Sequence, residues 1–220
     1  MLKKVQFVIF VEASRVLIAC GDIDRDGIDD LFGVWRNLGT WLKLTTVNQW
    51  IKLTTPADDI TSGDMNGDGR IDILGVWPSG VWYRDTETGF WAKIADPADM
   101  IAAGDLDGDG TDDLIGVWRA IASPGTWVKF SSTGGWHNLL TPVQHIASGD
   151  INGDGRDDFL CTVDSGVWYR NSVTSRWIWI HDSADMIAAG DLDGDGVDDL
   201  IGVWRSIAMP GVWVKYSSTG

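Results

Sequence analysis

The chain has 220 residues, a net charge of −15 and 14 tryptophans. Such acidity argues against partnership with nucleic acid or insertion into an anionic membrane, and no stretch has the apolar length needed to span a bilayer as a helix. The length fits one large domain or two small ones, and a hydrophobic fraction of 44% is ample for a core.

The chain opens with Met1-Leu2-Lys3-Lys4 and a β-branched run from Val5 to Val11. These residues resemble a short signal peptide, and Leu17-Ile18-Ala19-Cys20 resembles a lipoprotein cleavage box. The register of the rest favours another reading: Ile18 to Gly21 is the strand that enters an acidic loop, and that loop is the first of five.

The loops begin at Asp22, Asp64, Asp105, Asp150 and Asp191, in steps of 42, 41, 45 and 41 residues. A period of this size marks a repeat architecture. In the third loop, Asp105 to Asp113, carboxylates stand at positions one, three, five and nine, with Gly110 at position six. Alternate side chains of a tightly turned loop converge on one centre, and an all-oxygen set suits a hard cation such as Ca²⁺. The glycine supplies a bend that a residue with a Cβ makes only at a cost. Unlike an EF-hand, the loop has Asp at nine rather than Glu at twelve, and apolar β-type runs flank it. Five bound Ca²⁺ would bring the net charge from −15 to about −5, so the acidity is mainly ligand chemistry.

Each repeat reads as four short strands. The first is Ile-Ala-Ala-Gly-like and enters the loop; the second leaves it, as in Asp113 to Trp118. The third carries Trp41, Trp82, Trp127, Trp168 or Trp213, and the fourth begins at Trp50, Trp91, Trp136 or Trp177. Short strands at even spacing, four per repeat, predict an all-β fold: a β-propeller of five four-stranded blades. The expected blades are residues 17–55, 56–97, 98–141, 142–182 and 183–220, together forming a single domain over 1–220. The last repeat stops where a fourth strand should begin. Residues 5–11 stand in register to supply it beside Gly211 to Tyr216, which would remove an open sheet edge. Residues 60–134 also match 146–220, so blades two and three resemble blades four and five as a pair. Cys20 and Cys161 fall in small-residue strand positions and are expected to be buried thiols outside any disulfide.

The order apolar-x-x-Gly-Asp-x-Asn/Asp-Gly-Asp-Gly-x-x-Asp-apolar resembles the FG-GAP (VCBS-type) repeats of integrin α-subunit propellers. It is also similar to the Ca²⁺-loop propeller lectins of fungi, of the Psathyrella velutina type. The resemblance is strongest at Gly63 to Asp72, Gly104 to Asp113, Gly149 to Asp158 and Gly190 to Asp199. It implies Ca²⁺ in the loops between strands one and two, up to five ions, and an extracellular or cell-surface location. The ligands it implies are Asp22, Asp24, Asp26 and Asp30; Asp64, Asn66, Asp68 and Asp72; Asp105, Asp107, Asp109 and Asp113; Asp150, Asn152, Asp154 and Asp158; and Asp191, Asp193, Asp195 and Asp199. Position seven varies freely, as expected if only its carbonyl binds, and position eight tolerates Ile71 and is not expected to be a ligand. Position four is Gly except for Arg25, which would be strained by about 1 kcal/mol if φ there is positive.

Three functions compete. A carbohydrate-binding, lectin-like module would stack sugars on Trp faces, with Trp82 and Arg84, and Trp168 and Arg170, as candidate glycan contacts. The competing reading of any one such Trp is packing between blades. A protein-interaction or adhesion propeller would use the long links Arg119 to Gly125 and Arg205 to Gly211 against a protein ligand. A structural or engineered propeller would bind nothing beyond Ca²⁺. Catalysis is not expected: His137, His145 and His181 share no repeat position and sit beside no candidate nucleophile.

Overall fold

The computed structural model describes residues 17–140, 143–205 and 210–219. Blade one comprises β1 (Leu17–Gly21), β2 (Asp30–Trp35), β3 (Gly39–Leu44) and β4 (Gln49–Thr54). Blade two comprises β5 (Asp59–Gly63), β6 (Asp72–Trp77), β7 (Gly80–Arg84) and β8 (Trp91–Ala95). Blade three follows with β9 (Met100–Gly104), β10 (Asp113–Trp118), β11 (Gly125–Lys129) and β12 (Trp136–Leu140). Blade four has β13 (His145–Gly149), β14 (Asp158–Val163), β15 (Gly166–Arg170) and β16 (Trp177–His181). Blade five has β17 (Met186–Gly190), β18 (Asp199–Trp204) and β19 (Gly211–Lys215) among the described residues. The protein is a five-bladed β-propeller. Each sheet is an antiparallel meander in chain order, and the inner strands β1, β5, β9, β13 and β17 pack side by side in that sequence. Residues 5–11, expected as the fourth strand of blade five, lie outside the described residues.

Apolar burial is divided among the junctions between blades. Phe32, Val34, Ile60 and Ile73 fill the space between blades one and two, and Leu74, Val76, Ile101 and Leu114 that between two and three. Ile115, Val117, Val128 and Phe159 lie between three and four, and Leu160, Val167 and Leu200 between four and five. Each of these side chains, fully buried, contributes about 1.5–3 kcal/mol. Neighbouring inner strands come close because their facing residues are small. A Cβ on Gly104 would lie 2.9 Å from that of Ser148, whose hydroxyl donates to the Ala103 carbonyl at 2.6 Å. Cys161 is buried as expected, but Cys20 is only half-buried, and neither is in a disulfide. Cys20 sits on the face of β1 turned away from blade two, where the equivalent Ser62 is covered by blade one.

A second lock comes from the tryptophan that ends the second strand. The Trp77 ring folds back over Gly75, so near that a Cβ there would lie 2.5 Å from it, and its Nε1 donates to the Thr55 carbonyl of blade one at 3.1 Å. Trp118 over Gly116 and Trp204 over Gly202 repeat this, donating to the carbonyls of Asp96 and Asp182, each at 3.2 Å. Blade four has Val163 in place of the tryptophan. No ring then needs the glycine gap, and Cys161 fills it, which explains an otherwise isolated cysteine.

Strands three and four pair with a one-residue shift in register immediately before the strand-three tryptophan, at Thr40/Trp41, Val81/Trp82, Thr126/Trp127 and Val167/Trp168. The bulge bends the outer strand and increases its twist.

Candidate functional site

The acidic loops share one hydrogen-bonding scheme. The carboxylate at position one is the hub: Asp105 accepts the N–H groups of Gly108, Asp109 and Gly110 at 2.6, 3.1 and 2.9 Å. Asp64 and Asp150 do the same in their own loops. The position-five carboxylate accepts the N–H of position seven, as Asp109 does from Thr111 at 2.8 Å. Position four has positive φ throughout, including Arg25 at φ 63°, so the expected strain at that residue is present. The Arg25 guanidinium donates to the Gly69 carbonyl of blade two at 2.6 Å, a contact that offsets the strain.

Position nine is fully buried in all five loops. Asp113 accepts the Leu106 N–H at 3.1 Å and the Ser131 N–H at 2.8 Å, and so ties the loop to the turn after β11. Burial pushes the carboxyls of Asp72 and Asp113 up to about 7 and that of Asp158 up to about 6, against the opposing pull of these backbone donors. The same turn adds hydroxyls that the sequence reading missed. Ser218 donates to Asp193 at 2.8 Å, Ser131 reaches Asp109 at 3.2 Å, and Ser132 bonds Asp107. Their spacing varies between blades, and only the fold shows that the turn overhangs the loop.

Three sets of carboxylates converge so that one oxygen from each residue lies within 4.8 Å of the others: Asp22, Asp24 and Asp26; Asp105, Asp107 and Asp113; and Asp191, Asp193 and Asp199. A Ca²⁺ ion with ligands at about 2.4 Å keeps its oxygens within about 5 Å of one another, so these sets fit the ion. In the first loop Asp22 Oδ1 is buried and accepts no hydrogen bond among the described residues, an orphaned oxygen that a cation would satisfy. Asp30, Asp109 and Asp195 stand outside these trios. In the second and fourth loops position three is Asn66 or Asn152, and no trio of carboxylates forms there among the described residues.

Position eight joins the blades. Asp64 donates its N–H to the Asp112 carboxylate at 2.9 Å, and Asp112 returns its own N–H to the Asp64 carbonyl at 2.7 Å. Asp105 with Asp157, and Asp150 with Asp198, close the same two-bond clasp. Between blades one and two the position-eight residue is Ile71; it packs on Gly21, and Arg25 supplies the polar link.

Aromatic grooves lie between blades. One, of 360 Å³, lies between blades one and two and is lined by Thr54, Thr55, Trp77, Ser79, Trp82 and Trp91. Its counterpart between blades two and three, of 570 Å³, is lined by Lys93, Asp96, Trp118, Ile121, Trp127 and Trp136. Both present the tryptophans of strands two, three and four; Trp77 with Trp91, and Trp118 with Trp136, form edge-to-face pairs at 5.3 and 5.4 Å. Trp82 lines the first groove, half-buried against the junction core, with its Nε1 donating to Ser79 at 3.1 Å. Trp168 is held likewise by Ser165 at 3.2 Å. Arg84 and Arg170 share the face of their tryptophans but pair across the sheet with Trp91 and Trp177, away from the strand-two end of the blade. The larger groove of blade three was not singled out by the sequence, although its three tryptophans repeat those of blade two.

No protein-family model matches the chain, and no curated protein is detectably similar to it. Among solved structures it is similar to the V. cholerae biofilm matrix protein Bap1, with TM-score 0.48 and 18% identity, over 99% of this chain and 41% of that one. It is also similar to the extracellular domain of BT4673 from B. thetaiotaomicron, with TM-score 0.51 and 12% identity, over 96% of this chain and 32% of that one. The chain thus spans less than half the length of either protein. These structural neighbours are biofilm-matrix and extracellular proteins, and no helix among the described residues is long and apolar enough to cross a membrane.

Proposed function

We propose that this protein is a Ca²⁺-binding propeller of the extracellular space that acts as a carbohydrate-binding module, by binding without catalysis. The observation that carries the reading is the repeated groove of three tryptophans with polar groups at its edge. In the larger groove Lys93 and Asp96, 3.0 Å apart, stand beside Trp127 and the partly exposed Trp136. Aromatic faces take the apolar face of a sugar ring, and charged or hydroxyl groups at the margin fix its hydroxyls. Repetition around the propeller suits weak sites acting together on a glycan or glycoprotein surface. The converging carboxylates and the orphaned Asp22 oxygen support Ca²⁺ as the ion that holds the loops, with the Asp and Asn side chains of the repeat pattern as its donors.

A glycan array probed with Ca²⁺ present tests this reading. Retention of a defined glycan set, lost in Trp136→Ala, is the expected result. No retained glycan, with a protein captured instead in a pull-down, would favour the adhesion reading, in which Ile121 at the rim of the larger groove is a contact residue.

A further inference from the structure

The junction of blades two and three holds a second groove, on the side of the acidic loops. Its volume is 500 Å³, and its lining includes Asn66, Tyr83, Ala92, Asp109, Lys129 and Ser131. Lys93 and Ile94 line both this groove and the larger tryptophan groove, so the two meet along β8. Each alone has the size of a single small-molecule site, about 300–1,000 Å³.

The two grooves follow one another along the strands. On β10, Leu114 lines the loop-side groove and Trp118 the tryptophan groove, about 13 Å further along the strand. On β8, Ala92 lines the first and Ala95 the second. Lys129 stands where they meet. Its ammonium donates to the Ile94 carbonyl of blade two at 3.2 Å and lies 5.9 Å from the centre of the Trp136 ring. An ammonium carries three N–H donors, and among the described residues this carbonyl takes one of them. The equivalent residue of blade two is Arg84, which lies over Gly89 of its own turn instead.

We propose that the two grooves form one cleft that takes an extended stretch of a linear polysaccharide, about three sugars or more in length. One ring rests on Trp127 and Trp136, and the chain crosses Lys129 towards the loop side. This rests on the carbohydrate reading of the tryptophan groove and adds the form of the ligand, a chain held along its length. The occupant follows from the order of the surfaces. Indole faces at one end suit the apolar face of a ring, and the phenol, amide and hydroxyl groups of Tyr83, Asn66 and Ser131 at the other suit the hydroxyls of further rings.

An array of linear glycan series tests this, each series running from the single sugar to the hexamer, with Ca²⁺ present. The series are built from glucose, N-acetylglucosamine, mannose, galactose and uronic acid. Wild type is expected to bind the tetramer of at least one series about tenfold or more tighter than its single sugar. Ala92→Phe fills the loop-side groove and leaves the tryptophans in place. It is expected to bind the single sugar as wild type does and to lose the gain with length. Lys129→Met keeps the stem without the ammonium and is expected to reduce that gain. Single sugars bound as tightly as tetramers would overturn the cleft and leave the carbohydrate reading standing. So would a gain that survives in Ala92→Phe or, should that variant not fold, in Lys129→Met. Wild type that binds no member of any series would overturn the carbohydrate reading and this inference together.

Discussion

Trp118 of blade three donates its indole N–H to the carbonyl of Asp96 in the linker from blade two, at 3.2 Å, while its ring closes the gap over Gly116. One side chain thus seals its own sheet and fastens it to the preceding one. Trp118→Phe keeps most of the apolar contact but leaves the carbonyl without its donor. The expected cost is about 1–3 kcal/mol, read from urea unfolding.

Packing and recognition should separate within one groove. Trp118→Ala removes a buried ring that lines the larger groove and is expected to cost about 3–5 kcal/mol. Trp136 is 41% exposed, so Trp136→Ala is expected to change the melting temperature little and to abolish glycan retention. Equal destabilisation by the two substitutions would place Trp136 in the packing class.

The clasp at position eight carries its own expectation. Asp112→Ala deprives the Asp64 N–H of its acceptor at the junction of blades two and three, and a loss of about 1–3 kcal/mol is expected in chemical denaturation. Substitution of Arg25 by Gly relieves its positive φ but removes the link to Gly69, so the two effects oppose and the net change should be small.

Chelation should lower the melting temperature sharply. Three carboxylates held within 4.8 Å repel one another, and their repulsion opposes closure of the loop when no cation is bound. Ca²⁺ is expected to restore the melt and Mg²⁺ to do so poorly, because Mg²⁺ demands stricter octahedral geometry. An unchanged melt after verified metal removal would contradict the proposed sites.

In metal-free protein the buried position-nine carboxyls give stability a definite pH dependence. Burial raises Asp72 and Asp113 to about 7 and Asp158 to about 6, above the ordinary carboxyl value, so the folded state holds protons that the unfolded state has released. Stability from these groups is therefore complete below about pH 4 and falls as pH rises towards 7. Ca²⁺ competes with those protons, so the gain in melting temperature on adding it should be larger at pH 8 than at pH 5.

The repeat, its four strands and the acidic loops were legible because each is written in local spacing. β6 from Asp72 to Trp77 and β10 from Asp113 to Trp118 fall where the pattern puts them, and strand four begins at Trp91, Trp136 and Trp177. What joins neighbours was not legible. Position eight tolerates Ile71 and is not expected to bind the ion, and its spacing signals no other role, yet Asp112, Asp157 and Asp198 bridge blades there. Their partners are 48, 52 and 48 residues away, and nothing in one loop shows which loop will stand beside it. The hydroxyls of Ser131 and Ser218 were hidden for the same reason: they reach the loop across the sheet.

The two kinds of blade junction bear on how such a chain can lengthen. Blades three and four each present an aspartate backwards and a position-four glycine forwards, so a duplicated three–four segment inserted after blade four would find matching groups at both borders. A copy of blade two placed there would bring Ile71 opposite Gly149, with glycine rather than arginine at position four to replace the lost bond. Blades one and two are therefore interdependent, and growth by duplication is open only to the blades that follow them.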